Sequence, residues 1–124
     1  MALITVFVSY IKENLQTGER YVGRTSGEIE NFSFENIFKI LRKRDSNHAE
    51  LNEKGFEATE LDQQSENYPA IRGREQQLIE YYQKQGNCAN KINGISKRNK
   101  KLKFYLAAAI ETFGEIFLIN LYFA

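Results

Sequence analysis

Two tyrosines, one arginine, one glutamate and one histidine are the groups in this chain whose types and spacing could do chemistry. Tyr10 closes the triplet Val8-Ser9-Tyr10, and Tyr21 opens Tyr21-Val22-Gly23, with residues 11–20 between them. Arg44 follows Ile37 and Leu41 at helical spacing, and His48 stands four residues further on. Steps of three and four keep these side chains on one helix face. Glu75 has the same kind of company in Ile71, Leu78, Ile79 and Tyr82. A guanidinium and a carboxylate therefore each fall on a stripe that should meet a core. A charge in such a place is costly unless it is paired or binds a metal. Two readings follow: a buried Arg44–Glu75 ion pair, or a site in which the carboxylate binds a metal.

The elements that must position these groups can be read from the patterning. Residues 3–10 alternate Ile4, Val6 and Val8 against Thr5, Phe7 and Ser9, which predicts a strand. Residues 14–18 carry turn chemistry and residues 20–25 read as a second strand, giving an antiparallel hairpin. Such a hairpin would bring Tyr10 and Tyr21 near each other at a sheet edge. Gly23 would let a backbone or substrate approach closely. The alternative is a pair of structural tyrosines, since Tyr favours strands.

Residues 26–33 read as a loop, and Ser33 as the N-cap of a helix over residues 34–44 with Phe34, Ile37, Phe38 and Leu41 on its apolar face. Residues 45–68 are polar and aperiodic, a long loop with short pieces of structure. Pro69 opens a second helix that runs to about Gln83 and stops near Gly86. A short third strand is expected within residues 87–95. A third helix is expected over residues 100–113, stopped by Gly114. The apolar run 116–123 reads as a strand, a buried tail or a contact with another chain. The expected fold is α+β: a small antiparallel sheet of about three strands flanked by helices, as a single domain over residues 1–124.

Composition narrows the classes. The chain has 124 residues, of which 42% are hydrophobic and 27% charged, which argues against disorder. A single cysteine, Cys88, excludes an intrachain disulfide and the CxxC spacing of a zinc site. No apolar run reaches the roughly 18 residues of a membrane span. The start lacks the basic and long apolar segments of a signal peptide, so an export address would lie on a larger parent chain. Net charge is +1, so the domain is not globally basic. Basic residues cluster at Lys39, Arg42, Lys43 and Arg44, and again from Lys97 to Lys103; acidic ones collect between Glu50 and Glu66. These clusters are solvated faces or phosphate contacts. In the second cluster Lys97, Arg98 and Lys100, near Phe104 and Tyr105, would track a nucleic-acid backbone. No groove-reading motif is present, so little sequence specificity is expected.

The two tyrosine triplets resemble the signature of the GIY-YIG nuclease family, with Val-Ser-Tyr standing for Gly-Ile-Tyr and the family's ten-residue gap between them. The resemblance covers roughly residues 6–93. Arg44 and His48 match the family's arginine and its partner four residues on. Glu75 matches the metal-binding glutamate of the next long helix. Arg24 stands where the family often has a basic residue, and Asn87, Asn90 and Asn93 are candidates for its downstream asparagine. More narrowly, Tyr-Val-Gly-Arg-Thr-Ser-Gly, Arg-Asp-Ser-Asn-His, Ala-Ile-Arg-Gly-Arg-Glu-Gln-Gln-Leu-Ile and Ile-Asn-Gly-Ile-Ser resemble C-terminal toxin domains of bacterial polymorphic toxins, including Rhs-type proteins. Those domains often read His-His where this chain has His48-Ala49, so Ala49 is either natural variation or an inactivating substitution. They also tend to stop near a Phe-Gly like Phe113-Gly114.

The resemblance implies a metal-dependent endonuclease acting on DNA, with RNA not excluded. Glu75 would hold one Mg²⁺ or Mn²⁺. Tyr10 or Tyr21 would act as general base with its pKa lowered by Arg24 or the metal. Arg44 would bind the scissile phosphate, and His48 would assist by proton transfer or a hydrogen bond. It also implies an antibacterial effector that is secreted or delivered into the cytoplasm of a target bacterium, and a cognate immunity protein. The alternative is a catalytically inactive module on the same fold that holds nucleic acid or a partner.

Overall fold

The chain begins as a hairpin. In the computed structural model, which describes residues 2–116, β1 (Ile4–Glu13) pairs antiparallel with β2 (Arg20–Ile29). The side chain of Asn14 closes the turn by accepting from the amides of Gln16 and Thr17 at 3.0 and 3.2 Å, the Asx-type bond that favours Asn in turns. The register sets Tyr10 opposite Gly23 and Lys12 opposite Tyr21. Cross-strand partners and residues two apart share a sheet face, so both tyrosines lie on one face, diagonal to each other. Each strand runs past its expected end, to Glu13 rather than Tyr10 and to Ile29 rather than Thr25. Ser26, Gly27 and Glu28 are weak strand formers. Their pairing with the Val-rich first strand overrides that preference.

The third strand is not within residues 87–95. It is β3 (Glu60–Ser65), paired antiparallel with β1, so the sheet order is β2-β1-β3. Its sequence, Glu-Leu-Asp-Gln-Gln-Ser, lacks the apolar alternation that announces a strand. Polar side chains of this kind suit an edge strand. Residues 87–90 instead run along the outer edge of β2, where Cys88 makes an isolated parallel bridge with Arg20.

Helices cover both faces of the sheet. α1 (Phe34–Asp45) starts at Ser33, whose side chain accepts from the Asn36 amide. Its buried Ile37, Ile40 and Leu41 pack on Val6, Val8, Tyr10 and Ile29. Ile40 takes the core place expected of Phe34, which is exposed. α1 ends at Asp45, so His48 is not on the helical stripe of Arg44; it is the residue before α2 (Ala49–Glu53). On the other face α3 (Tyr68–Gln85) carries Pro69 in its first turn and ends at Gly86, which adopts φ 78°. Its Leu78 and Ile79 pack on Val22, with Ile11 and Ile116 alongside. α4 (Leu102–Phe113) lies against α3 and stops at Gly114. Of the apolar run 116–123, only Ile116 falls within the described residues. No helix among them is long and apolar enough to cross a membrane.

Candidate active site

Tyr10 sits at the centre of one hydrogen-bonded group. Arg44 Nε donates to Tyr10 Oη at 3.1 Å, and Tyr10 Oη lies 2.6 Å from His48 Nε2. Burial holds the His48 pKa below its ordinary value, with the Arg44 and Lys12 charges adding to the effect. With the imidazole neutral, Tyr10 Oη and His48 Nε2 share one hydrogen bond whose donor is set by the imidazole tautomer. Burial pushes the Tyr10 pKa up to about 12, against the opposing pull of Arg44. Tyr10 is therefore a neutral phenol with no exposed surface. Its ring lies over Gly23, where an added Cβ would meet Tyr10 Cε2 at 2.8 Å. The close neighbour that Gly23 accommodates is thus the first tyrosine itself. Tyr21 packs edge-on against the same imidazole, ring centres 5.5 Å apart.

Glu75 approaches from the opposite face of the sheet. Its Oε1 accepts from Arg24 Nε at 3.2 Å. Burial raises its pKa, opposed by the Arg24 charge. Gly94 lies against this carboxylate, and a Cβ there would sit 2.5 Å from Oε1. Arg44 and Glu75 are thus not locked to each other: Arg44 bonds Tyr10, and Glu75 bonds Arg24.

These two groups meet in a cleft of about 320 Å³ lined by Tyr21, Gly23, Arg24, Arg44 and Glu75, with Asn90, Ile92, Asn93 and Gly94. Successive strand residues point to opposite faces. A cleft lined by Tyr21, Val22, Gly23 and Arg24 together must therefore wrap around the edge of β2. That explains how α1 and α3, on opposite faces, both reach it. A second cleft of about 570 Å³ shares Tyr21, Asn90 and Ile92 with the first and is lined by His48.

No protein-family model, curated protein or solved structure matches this chain.

The three asparagines divide. Asn90 lines the cleft and bonds the main chain of Val22 twice, accepting from its amide and donating to its carbonyl, each at 2.8 Å. Asn93 also lines the cleft and accepts from Gln83. Asn87 does not reach it; its side chain donates to the Gly18 carbonyl at the hairpin turn. Lys97, Arg98 and Lys100 lie exposed on the segment before α4. Only Lys97 is near the cleft, in a depression shared with Ile92 and Asn93. Ala49 is exposed and lines neither cleft.

Two buried ion pairs brace the site. Lys12, fully buried two residues beyond Tyr10, pairs with Asp45 and donates to Asn52 Oδ1 at 2.7 Å. Asp45 Oδ1 also accepts from the Thr59 amide, and its carbonyl from the His48 amide. This hub fixes the end of α1 and the start of α2, and with them Arg44 and His48. Arg74 donates twice to Asp62, at 2.8 and 3.0 Å, and Ser9 donates to Asp62 as well. That clamp ties α3, one residue before Glu75, to β1 and β3. The period-two face Val8, Tyr10, Lys12 was the sequence signal for Lys12.

One carboxylate on a cleft wall fits a hard divalent ion that keeps most of its water, such as Mg²⁺. An all-protein cage does not fit, because no group of three or more His, Cys, Asp or Glu is clustered among the described residues.

Proposed function

We propose that this chain is a metal-dependent endonuclease of the GIY-YIG type that hydrolyses DNA phosphodiester bonds. The observation that carries the reading is the convergence of Tyr21, Arg24, Arg44 and Glu75 on one cleft, with the Tyr10–His48 pair directly behind it. A carboxylate and two guanidiniums facing a phenol form a site with a place for a cation and donors for an oxyanion.

The Arg44 side chain has one hydrogen-bond partner among the described residues, Tyr10 through Nε. Its terminal nitrogens are the donors that would hold the scissile phosphate, where the fork matches two oxygens. Tyr21 lines the cleft whereas Tyr10 is buried, so Tyr21 is the phenol that would meet the attacking water. Burial raises the Tyr21 pKa while Arg44 lowers it. Tyr10 accepts from Arg44 and thereby orients the guanidinium, and its hydrogen bond with His48 keeps the imidazole edge-on to Tyr21. Arg24 holds Glu75 in place. A divalent ion on Glu75, Mg²⁺ or Mn²⁺, would neutralise phosphate charge, stabilise the leaving 3′ oxygen and lower the pKa of nearby acids. In the wider reading the domain is an antibacterial toxin, delivered into a target bacterium and neutralised by a cognate immunity protein.

The test is an end-labelled DNA duplex incubated with the chain and Mg²⁺ or Mn²⁺. The reading predicts internal cuts leaving 3′-hydroxyl and 5′-phosphate ends, lost in Glu75→Ala. Cutting by Ala49→His alone would make Ala49 an inactivating substitution. RNA cut in place of DNA would move the substrate class. Binding without cutting in every form would favour the inactive module.

A further inference from the structure

Beyond the catalytic cleft, a separate groove of about 320 Å³ runs between β2 and α1. Its walls carry Lys39, Lys43 and Arg44 of α1, with Asn36 and Asn47 at its ends and one acidic residue, Glu28, on the β2 side. Arg44 belongs to both this groove and the cleft of Glu75. On the other side of that cleft, Ile92 and Asn93 are shared with the depression that holds Lys91 and Lys97. The three hollows therefore adjoin, Arg44 standing between the first two and Ile92 and Asn93 between the last two, with Glu75 in the middle one.

We infer that this joined channel is the track of one nucleic-acid strand, and that Lys39 and Lys43 are its phosphate contacts on the α1 side. The inference rests on the nuclease reading above. Lys39 and Lys43 stand one helical turn apart on the exposed face of α1, about 6 Å along the axis. Neither has an acidic partner among the described residues, unlike Lys12 and Lys54. Arg42, their neighbour in sequence, is turned elsewhere, over the Phe38 ring. From Asn36 to Asn47 the helix face and the turn after it span at most about 16 Å at a helical rise. That is the axial length of four or five phosphates of one duplex strand. A channel open on both sides of the cutting position accepts an internal phosphodiester and does not require a strand end.

The experiment is binding of a fluorescent DNA duplex by the chain in EDTA, followed over about 50 to 200 mM salt, with plasmid cutting in Mg²⁺ run alongside. Lys39→Gln/Lys43→Gln is compared with the unchanged chain and with Lys84→Gln, an exposed α3 lysine that lines none of the three hollows. Circular dichroism checks that each variant is folded. Two lost phosphate contacts should flatten the slope of log K against log salt by about 1.8, and weaken binding at 0.1 M salt about 60-fold. Lys84→Gln should leave both unchanged. An unchanged slope in the double variant of a chain that binds and cuts DNA would overturn the track and leave the nuclease reading standing. A chain that does not bind DNA would overturn the track, and the nuclease reading falls with it where Ala49→His also fails to cut. A chain that binds without cutting, its slope flattened in the double variant, would support the track, and would sink the nuclease reading only where Ala49→His also fails to cut.

Discussion

Gly23→Ala is the sharpest perturbation of this site, because a single methyl group would strike the ring at its centre. The new Cβ would come within 2.8 Å of Tyr10 Cε2, and nearer still to the Oη and Cζ atoms. Carbon atoms rest at about 3.5–4.0 Å, so the ring must move by roughly 1 Å or more. A shift of that size takes Tyr10 Oη out of reach of Arg44 Nε, now 3.1 Å away. Overpacking costs about 1–3 kcal/mol, and losing a hydrogen bond to a charged group about 1.5–3 kcal/mol. The expected destabilisation is about 3–5 kcal/mol, the sum of those two ranges with allowance for partial relaxation. With a urea slope near 2 kcal/mol/M, that lowers the unfolding midpoint by roughly 2 M. Urea unfolding of Gly23→Ala, Tyr10→Ala and the double variant separates the packing term. Adding Gly23→Ala to Tyr10→Ala should cost little, because the ring that it would strike is gone. Additive losses, or a Gly23→Ala midpoint equal to that of the unchanged chain, would refute the placement of Tyr10 over Gly23.

Gly94→Ala puts a methyl group 2.5 Å from Glu75 Oε1; it should reduce cleavage about 100-fold with little change in urea midpoint, since misplacing a catalytic group by about 1 Å has that effect. Lys12→Met removes the buried partner of Asp45 and should cost about 3 kcal/mol in urea unfolding, at the low end for a broken buried pair because Asp45 is partly exposed. His48 has a folded pKa below its unfolded value. As pH falls through about 6.5 the unfolded chain takes up the proton first, so stability is lost toward acid and regained above that range. Urea midpoints against pH should show this limb in the unchanged chain and not in His48→Gln.

The hairpin, α1, α3 and α4 were legible because each is a local pattern: alternation, an Asx turn, a Ser33 cap, a Pro69 start, Gly86 and Gly114 stops. Arg44 and Glu75 stood out for a related reason, as charges on otherwise apolar stripes. β3 was hidden because its polar side chains are satisfied by distant partners, Asp62 by Arg74 and Ser9. Nothing local announces such partners. Residues 87–90 looked strand-like because they do pair with the edge of β2, but mainly through Asn90 and two main-chain bonds at Arg20. His48 was expected on a helical stripe and reaches Tyr10 instead from the turn after α1, held by Asp45. The roles of Lys12, Asp45 and Gly94 depend on contacts between residues far apart in the chain, which spacing alone does not encode.

The central claim is that Glu75 anchors metal-dependent cleavage in the cleft beside Tyr21 and Arg44. Supercoiled plasmid with Mg²⁺ tests it most directly, comparing the chain, Ala49→His and each of these with Glu75→Ala. The account predicts nicked and linear DNA from the chain or from Ala49→His, with a loss of several orders of magnitude in rate when Glu75 is removed. Cleavage that survives Glu75→Ala, or that proceeds unchanged in EDTA, would contradict it.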